Sequence, residues 1–451
     1  MKRAGHLVLT LRSGEAAQHV PAHLDCLAGA GRASNRLDGG RVDAVLSRYG
    51  GARIETVFHA RRSLGRFGEH HAHFDDVEEA LGLSRCYRLQ LADRDADDSV
   101  VRALRDLPTV ESVNVQTLVR TEDAVHEGVL PDAAMARRAH EQINAAAALE
   151  LEPGDERITT AVVDTGIVVG HPEFQRKCLA GYDTVDIGLG RVGEKLKLVG
   201  DSRGLDYNPY DEVGHGCHVA GIIGAQGWHL PRGVGGRTLL LAVRVLAGAL
   251  DERRGKRVGV GCQPDIDSGM KVALDLGADV INMSFGTPAS SLDASAAVPH
   301  QAVIAYASRR GCTLVAAAGN SGIEETIYPA ALPEVICCAS VDAHGRRSSF
   351  STQSPHMTLA APGEQIVSCG VRGYQISSGT SFAAPFVAGV ASLMKARALR
   401  AGHRLDGART KALLIESCRP LGQGFNRGTG HGQLDALGAL RALDRWLELR
   451  P

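Results

Sequence analysis

The sequence carries almost no net charge. Its 50 Lys and Arg stand against 51 Asp and Glu, a formal balance of −1 at pH 7. Such a chain has no overall field to gather nucleic acid or an anionic membrane, so neither is expected as a partner. No run of roughly 18 consecutive apolar residues occurs, and no membrane span is expected. After Met1-Lys2-Arg3 the apolar run His6–Leu11 is broken by Arg12 and Glu15, with no small-residue cleavage site behind it. A secretory leader is therefore not expected. The ten cysteines, from Cys26 to Cys418, contain no Cys-x-x-Cys pair, and only Cys337 and Cys338 are adjacent. They read as reduced thiols rather than a zinc knuckle or a disulfide framework, and the expected compartment is the cytoplasm. Internal repeats and low-complexity tracts are also lacking.

What is present is an ordinary globular composition, 44% hydrophobic and 22% charged over 451 residues. That length suggests two domains, one of them large. Residues 1–122 read as a small α+β unit. His6–Leu11, Ala52–His59, Cys86–Leu91 and Val110–Val115 have strand character, and Arg41–Tyr49 and Asp97–Leu107 have helical spacing. The order β-α-β-β-α-β predicts a ferredoxin-like arrangement, with residues 60–84 as an insertion. Residues 123–155 read as a linker and lead-in segment that turns helical near Ala136–Leu149. From 156 to 451, β-branched runs alternate with Ala- and Gly-rich helical stretches. Arg157–Val163, Thr238–Val245, Asp279–Met283, Thr313–Ala318 and Val335–Ser340 read as buried parallel strands. His215–Ala225, Asp265–Leu276, Ala294–Arg310 and Ser381–Leu399 read as the helices between them. The expected fold class is α/β, a doubly wound parallel sheet preceded by the smaller domain.

Four segments carry chemistry, each with a plainer reading beside it. Val162-Val163-Asp164-Thr165-Gly166 follows a strand, where an Asp is a turn former or cap as readily as a catalyst. Asp-Thr-Gly also marks aspartic proteases, but that chemistry needs two carboxylates and the chain has one such tripeptide. Gly214-His215-Gly216-Cys217-His218 puts two histidines three apart, either metal ligands or a general base at a helix start. In Ala316-Ala317-Ala318-Gly319-Asn320 the Asn takes a left-handed turn or donates to an oxyanion. In Ser378-Gly379-Thr380-Ser381-Phe382-Ala383-Ala384-Pro385 the Ser is a helix cap or a nucleophile.

Taken together, Asp164, His215, Asn320 and Ser381 resemble, in order and in flanking sequence, the subtilisin-like serine proteases. The resemblance covers about residues 136–445. It includes Gln142-Ile143-Asn144-Ala145, His171-Pro172-Glu173-Phe174, Ile281-Asn282-Met283-Ser284-Phe285-Gly286, Ala360-Ala361-Pro362-Gly363 and Gly430–Ala436. It implies a serine endopeptidase with Ser381 as nucleophile, His215 as general base, Asp164 orienting the imidazole and Asn320 in the oxyanion hole. It implies that Ser284, Phe285 and Gly286, with Ala317, Ala318 and Gly319, bind an extended peptide, and that Ile327 lies near the floor of the specificity pocket. Glu324 and Glu325, in the short loop after Asn320, either attract a basic side chain or are solvated surface. The small domain resembles the family's propeptide. That implies an inhibitor in cis whose tail, near Val115–Glu122, lies in the cleft and keeps the enzyme latent.

The chain also departs from the pattern. Cys217 replaces the usual Thr. Residues 186–208 and Ala249–Gln263 read as insertions that rim the cleft. Many relatives bind structural calcium, but Glu173 stands at an Asp position and Ala225–Arg237 lacks the Asn oxygens a hard cation needs. No cofactor or metal is therefore expected. His70, His71 and His73 read as a solvated loop more readily than as a metal site. The competing readings are a catalytically silent peptide-binding scaffold, an esterase, and a precursor-peptide-processing protease or ligase.

Overall fold

The computed structural model describes residues 2–449 apart from 18, 61–73, 122–123, 128–131, 194, 205 and 295. His70, His71 and His73 lie outside the described residues. The small domain is built on β1 (Lys2–Leu11), β2 (Ala52–Thr56), β3 (Cys86–Leu91) and β4 (Val110–Arg120). In β1 the side chains of Leu7, Leu9 and Leu11 are buried at every second position, the period a half-buried strand requires. The four strands pair antiparallel in the order β2-β3-β1-β4. The helices Arg41–Arg48 and Asp97–Arg105 bury Val42, Val45, Leu46, Val100 and Leu104 against this sheet. This is the ferredoxin-like order expected from the sequence. A short strand, β5 (Ala124–Glu127), follows.

In the larger domain β6 (Thr159–Asp164), β7 (Cys178–Asp183) and β8 (Leu196–Leu198) precede the helix His215–Gly224. Next, β9 (Leu239–Arg244), β10 (Ala247–Asp251) and β11 (Lys256–Cys262) precede the helix Gln263–Asp275. Two strands, β12 (Val280–Met283) and β13 (Thr287–Pro288), come before the helix Gln301–Arg309. Finally β14 (Thr313–Ala317), β15 (Ile327–Tyr328), β16 (Val335–Val341), β17 (Leu359–Pro362), β18 (Ile366–Cys369) and β19 (Tyr374–Ser378) lead to the helix Thr380–Arg400. Seven of these strands form a parallel sheet, β17-β16-β14-β12-β6-β9-β7. Val162 points into the core shared with the helices His215–Gly224 and Thr380–Arg400. Ala161 and Val163 point to the opposite core, against Gln263–Asp275 and Gln301–Arg309. Both faces are covered, which is why these strands read as continuous apolar runs. The helix Thr380–Arg400 is long and apolar enough to cross a membrane by length and composition, but most of it is buried in this core.

The two domains share a sheet. The end of β4 pairs antiparallel with β11, Leu118 opposite Cys262, Val119 opposite Gly261 and Arg120 opposite Val260. One seven-stranded sheet, β2-β3-β1-β4-β11-β10-β8, therefore runs from the small domain into the insertions of the large one. Past Thr121, β5 pairs antiparallel with β19, from Ala124 opposite Ser378 to Glu127 opposite Gln375. The sequence reads residues 123–155 as a linker because this four-residue strand finds its partner in the other domain, not beside it in the chain. Charges are buried between the domains as well. Glu78 and Lys271 pair at 2.5 Å with both side chains fully buried, Lys271 also holds Asp275 at 2.7 Å, and His59 reaches Asp275 at 3.1 Å. Arg88 pairs with Asp265 at 2.8 Å, and His23 stands between Glu55 and Asp186.

Candidate active site

The site assembles at the carboxyl ends of the parallel strands, where an open α/β sheet offers a crevice. Asp164 ends β6 and His215 opens the helix His215–Gly224. Both are buried, and Nδ1 of His215 lies 2.6 Å from Oδ1 of Asp164. The same Oδ1 accepts the Thr165 N–H at 2.7 Å. An imidazole held this way has its tautomer set by the carboxylate, and Nε2 becomes the nitrogen directed to reaction. The ring lies against Phe382, with centroids 5.4 Å apart, and Phe382 adjoins Ser381.

Ser381 occupies the first turn of the helix Thr380–Arg400 and is 5% exposed. Its hydroxyl donates to the Ser284 carbonyl at 3.3 Å, and Ser284 Oγ donates back to the Ser381 carbonyl at 2.7 Å. Asn320 follows β14. Its Oδ1 accepts from the Thr380 N–H and the Thr380 hydroxyl, each at 2.9 Å. With Oδ1 turned to Thr380, the Nδ2 donor occupies the opposite side of the amide. A donor beside a serine hydroxyl at a helix N-terminus suits a developing oxyanion.

Ser381 and Asn320 border a cavity of about 400 Å³ whose walls include Ser284, Phe285, Gly286, Ala317 and Gly319. Ala318, grouped with these by the resemblance, does not border it. Strand alternation sends its side chain into the core behind the sheet, and its N–H donates to the Cys338 carbonyl at 3.0 Å. Ile327 closes one end. A Cβ on Gly286 would stand 2.3 Å from the Ile327 Cγ2, so glycine is what lets these two walls meet. Glu325 also borders the cavity and accepts from the Ser290 hydroxyl at 2.7 Å, whereas Glu324 is turned to an ion pair with Arg427.

The remaining wall is the chain's own small domain. Leu118, Val119, Arg120 and Thr121 border the cavity beside Val260 and Leu196, so the insertions do rim it. The Thr121 N–H donates to the Gly259 carbonyl at 3.0 Å, and the Gly259 N–H donates to the Thr121 hydroxyl at 2.9 Å.

Two histidine and cysteine readings can be resolved. His218 is buried with its ring 4.4 Å from that of Phe382, and burial followed by the charge of His215 pushes its pKa well down. Among the described residues no group of three His, Cys, Asp or Glu side chains is arranged to hold a metal ion. Burial and then the Asp211 carboxylate push the Cys217 thiol well up, so it sits as a small protonated side chain that accepts the Val168 N–H.

The calcium implied by the resemblance meets a poor site. Glu173 is buried, and its Oε2 accepts the N–H groups of Gly227 and Trp228 at 2.8 and 3.1 Å. Its Oε1 accepts those of His229 and Leu230 at 2.8 and 3.2 Å and the Tyr374 hydroxyl at 3.3 Å. Burial would raise this carboxyl, but the four N–H groups outweigh it and hold the pKa below the ordinary value. The loop thus points donors inward where a hard cation needs oxygens. The residues present do not fit calcium.

The subtilase family (Peptidase S8) matches residues 155–432, more than half of the chain. The chain belongs to the subtilase family. Its matched domain is that of a serine-type endopeptidase. It is 37% identical over 252 residues to a thermophilic serine proteinase of a Bacillus species (strain AK1), covering 55% of this chain and 54% of that one. The chain thus spans about half the length of that relative. It is 34% identical to thermitase of Thermoactinomyces vulgaris, over 54% of this subtilase and 76% of thermitase. Among solved structures, a serine-to-alanine variant of the protease domain of PatA matches with TM-score 0.52 and 29% identity, covering 65% of this chain and 97% of that one. The prenylagaramide maturation protease PagA matches with TM-score 0.52 and 27% identity, over 66% and 98%.

Sequence reasoning missed two contributors. Asp211, in Tyr210-Asp211-Glu212-Val213, shows no periodic signal because its partners are mostly backbone amides. Gly259, against which Thr121 is held, carries no side chain to notice. Its need for glycine appears only in space, where a Cβ would stand 2.5 Å from the Thr165 methyl.

Proposed function

We propose that this subtilase is a serine endopeptidase kept latent by its own N-terminal domain. In the proposed reaction the Ser381 hydroxyl turns from the Ser284 carbonyl to His215 and attacks the scissile carbonyl. The imidazole takes the proton and returns it to the leaving amine, while Asp164 stabilises the charged ring. The Asn320 Nδ2 and the Ser381 N–H hold the oxyanion. The substrate is a protein or peptide bound extended, and no metal or cofactor takes part.

The observation that carries the latency is how the small domain and the strand after it meet the site. Thr121 borders the cavity that holds Ser381 and is bonded to Gly259, and Ala124 is paired with Ser378, three residues before Ser381. An external peptide must displace a segment that is covalently tethered, and tethering keeps its effective concentration in the millimolar range or above. The ten cysteines are all unpaired, which suits a reducing compartment such as the cytoplasm. A role in precursor-peptide maturation is the second reading, favoured by the likeness to PagA and by the strand pairing of Leu118–Arg120 and Ala124–Glu127 with the large domain.

The test compares the full chain, a chain of residues 123–451 and full-length Ser381→Ala on a peptide library read by mass spectrometry. The expected result is faster cleavage by the shortened chain, with none by the Ala variant. Equal rates for the first two would remove the latency, and cleavage by the Ala variant would remove the nucleophile.

A further inference from the structure

Asp211 stands four residues before His215 and is fully buried. Its Oδ1 accepts the Thr165 hydroxyl at 2.9 Å, the Val213 N–H at 2.9 Å and the Gly214 N–H at 2.8 Å. Its Oδ2 accepts the Cys217 N–H at 2.8 Å. The Thr165 hydroxyl in turn accepts the Gly216 N–H at 2.9 Å. The residue that follows Asp164 and both chain neighbours of His215 therefore hang on one carboxylate, directly or through one hydroxyl. The two backbones also touch: a Cβ on Gly216 would stand 2.1 Å from the Gly166 carbonyl oxygen.

A plain helix cap accounts for part of this. The first N–H groups of a helix lack partners within it, and an Asp near its start supplies them. A cap does not account for the Thr165 arm. That arm reaches back 46 positions along the chain to the segment carrying Asp164. Asp164 and His215 come from separate elements, and their 2.6 Å contact needs the end of β6 and the start of the helix held in register. We propose that Asp211 is a positioning residue for the reaction, setting that register through Thr165 on one side and through the Gly214 and Cys217 amides on the other. It touches no substrate. It acts by keeping the imidazole where Ser381 can use it. Misplacement of a reacting group by about 1 Å can lower a rate on the order of 10²-fold, so a small slip in this register falls on turnover rather than on binding.

This rests on the proposed serine-hydrolase reading, and the test separates the two. The full chain is treated with a small fluorophosphonate. The Ser381 oxygen bonds to phosphorus, fluoride leaves, and the hydroxyl proton passes to His215. Inactivation is resolved into a maximal rate, kinact, and a concentration constant, KI. Asp211→Asn and Thr165→Val should each lower kinact by about tenfold or more, with KI changed by no more than about twofold. The double variant should be no slower than Asp211→Asn alone, because both break one network. Thr165→Ser, which keeps the hydroxyl, should restore most of the rate. In a Ser381→Ala background the His215 Nδ1 proton resonance should shift or broaden with Asp211→Asn. Labelling at the wild-type kinact by either single variant overturns the proposal, as does a loss that falls on KI. If Asp211→Asn does not fold, Thr165→Val decides alone. A wild type that labels neither as the full chain nor as residues 123–451 removes the hydrolase reading, and the His215 resonance still decides the network.

Discussion

Glu173 and Asp211 are both buried carboxylates that collect backbone N–H groups, yet they stand differently to the reaction. Glu173 gathers Gly227, Trp228, His229 and Leu230, a loop away from the substrate cavity. Asp211 gathers Val213, Gly214 and Cys217 around His215 and reaches through Thr165 towards Asp164. The chemistry is shared: a compact anion satisfies several amide donors that would otherwise be buried unpaired, and each such orphan costs about 1–3 kcal/mol. The consequence differs because of what is attached to those amides. Loss of Glu173 should be felt as stability, and loss of Asp211 as rate.

The comparison is broken most directly by deleting the first carboxylate. Glu173→Ala should lower unfolding stability by about 3–5 kcal/mol, since four N–H groups lose one acceptor together. Denaturant unfolding of a Ser381→Ala background, which cannot digest itself, reads this. Fluorophosphonate labelling of Glu173→Ala in the active background at 25 °C should stay near the wild-type rate. A labelling rate as low as that of Asp211→Asn would erase the distinction.

Asn320→Ala sharpens the catalytic side. In the proposed reaction it removes a donor aimed at the transition state, where Glu173 holds a loop. Turnover should fall by about 10²–10³ with KM nearly constant. Steady-state kinetics on one peptide substrate checks both numbers.

Glu78→Ala sets a third buried carboxylate, paired with a cation, against these two. It removes the Lys271 ion pair that crosses the domain boundary and leaves the one with Asp275, four residues along the same helix. Breaking a buried pair typically costs about 3–5 kcal/mol, and the second carboxylate should soften this towards the lower figure. The small domain should loosen, and peptide cleavage by the full chain should rise. Unchanged cleavage would separate this contact from latency.

The smallest effects concern pH and calcium. The folded-state pKa of Glu173 is lowered, so its contribution is present above the unfolded carboxyl value of about 4.3 and is lost as pH falls through the folded value. The Tm of the Ser381→Ala chain should therefore fall more steeply below about pH 4.3 than that of Ser381→Ala/Glu173→Gln. Calcium and EDTA should give the same Tm at neutral pH, because the loop presents donors rather than oxygens. A calcium-dependent rise in Tm that Glu173→Gln abolishes would contradict the clamp.

Much of the fold was legible in the sequence. Cys86–Leu91 alternates and forms β3, and the long Ala- and Val-rich run after Gly379 forms the helix Thr380–Arg400. Asp164 and Asn320 stood out because each follows a strand-like run, and Ser381 because it opens the long Ala- and Val-rich helix. What escaped notice depends on contacts made far along the chain. Ala124–Glu127 becomes a strand only because β19 offers an edge. Ala318 shares a motif with Gly319 but points behind the sheet, which the sequence pattern of three alanines cannot distinguish. Glu173 was visible as a departure, but the four N–H groups that surround it belong to a loop more than fifty residues away. Asp211 was silent because most of its partners are nearby backbone amides, which leave no mark in the sequence.

Ser381, supported by His215 and Asp164, is proposed as the working nucleophile. Its most direct test is the mass of the full chain after exposure to a fluorophosphonate, followed by peptide mapping. One adduct on Ser381 is expected in the wild type, and none in His215→Ala or Ser381→Ala. No adduct on either the full chain or the chain of residues 123–451, or an adduct on another residue, would overturn this.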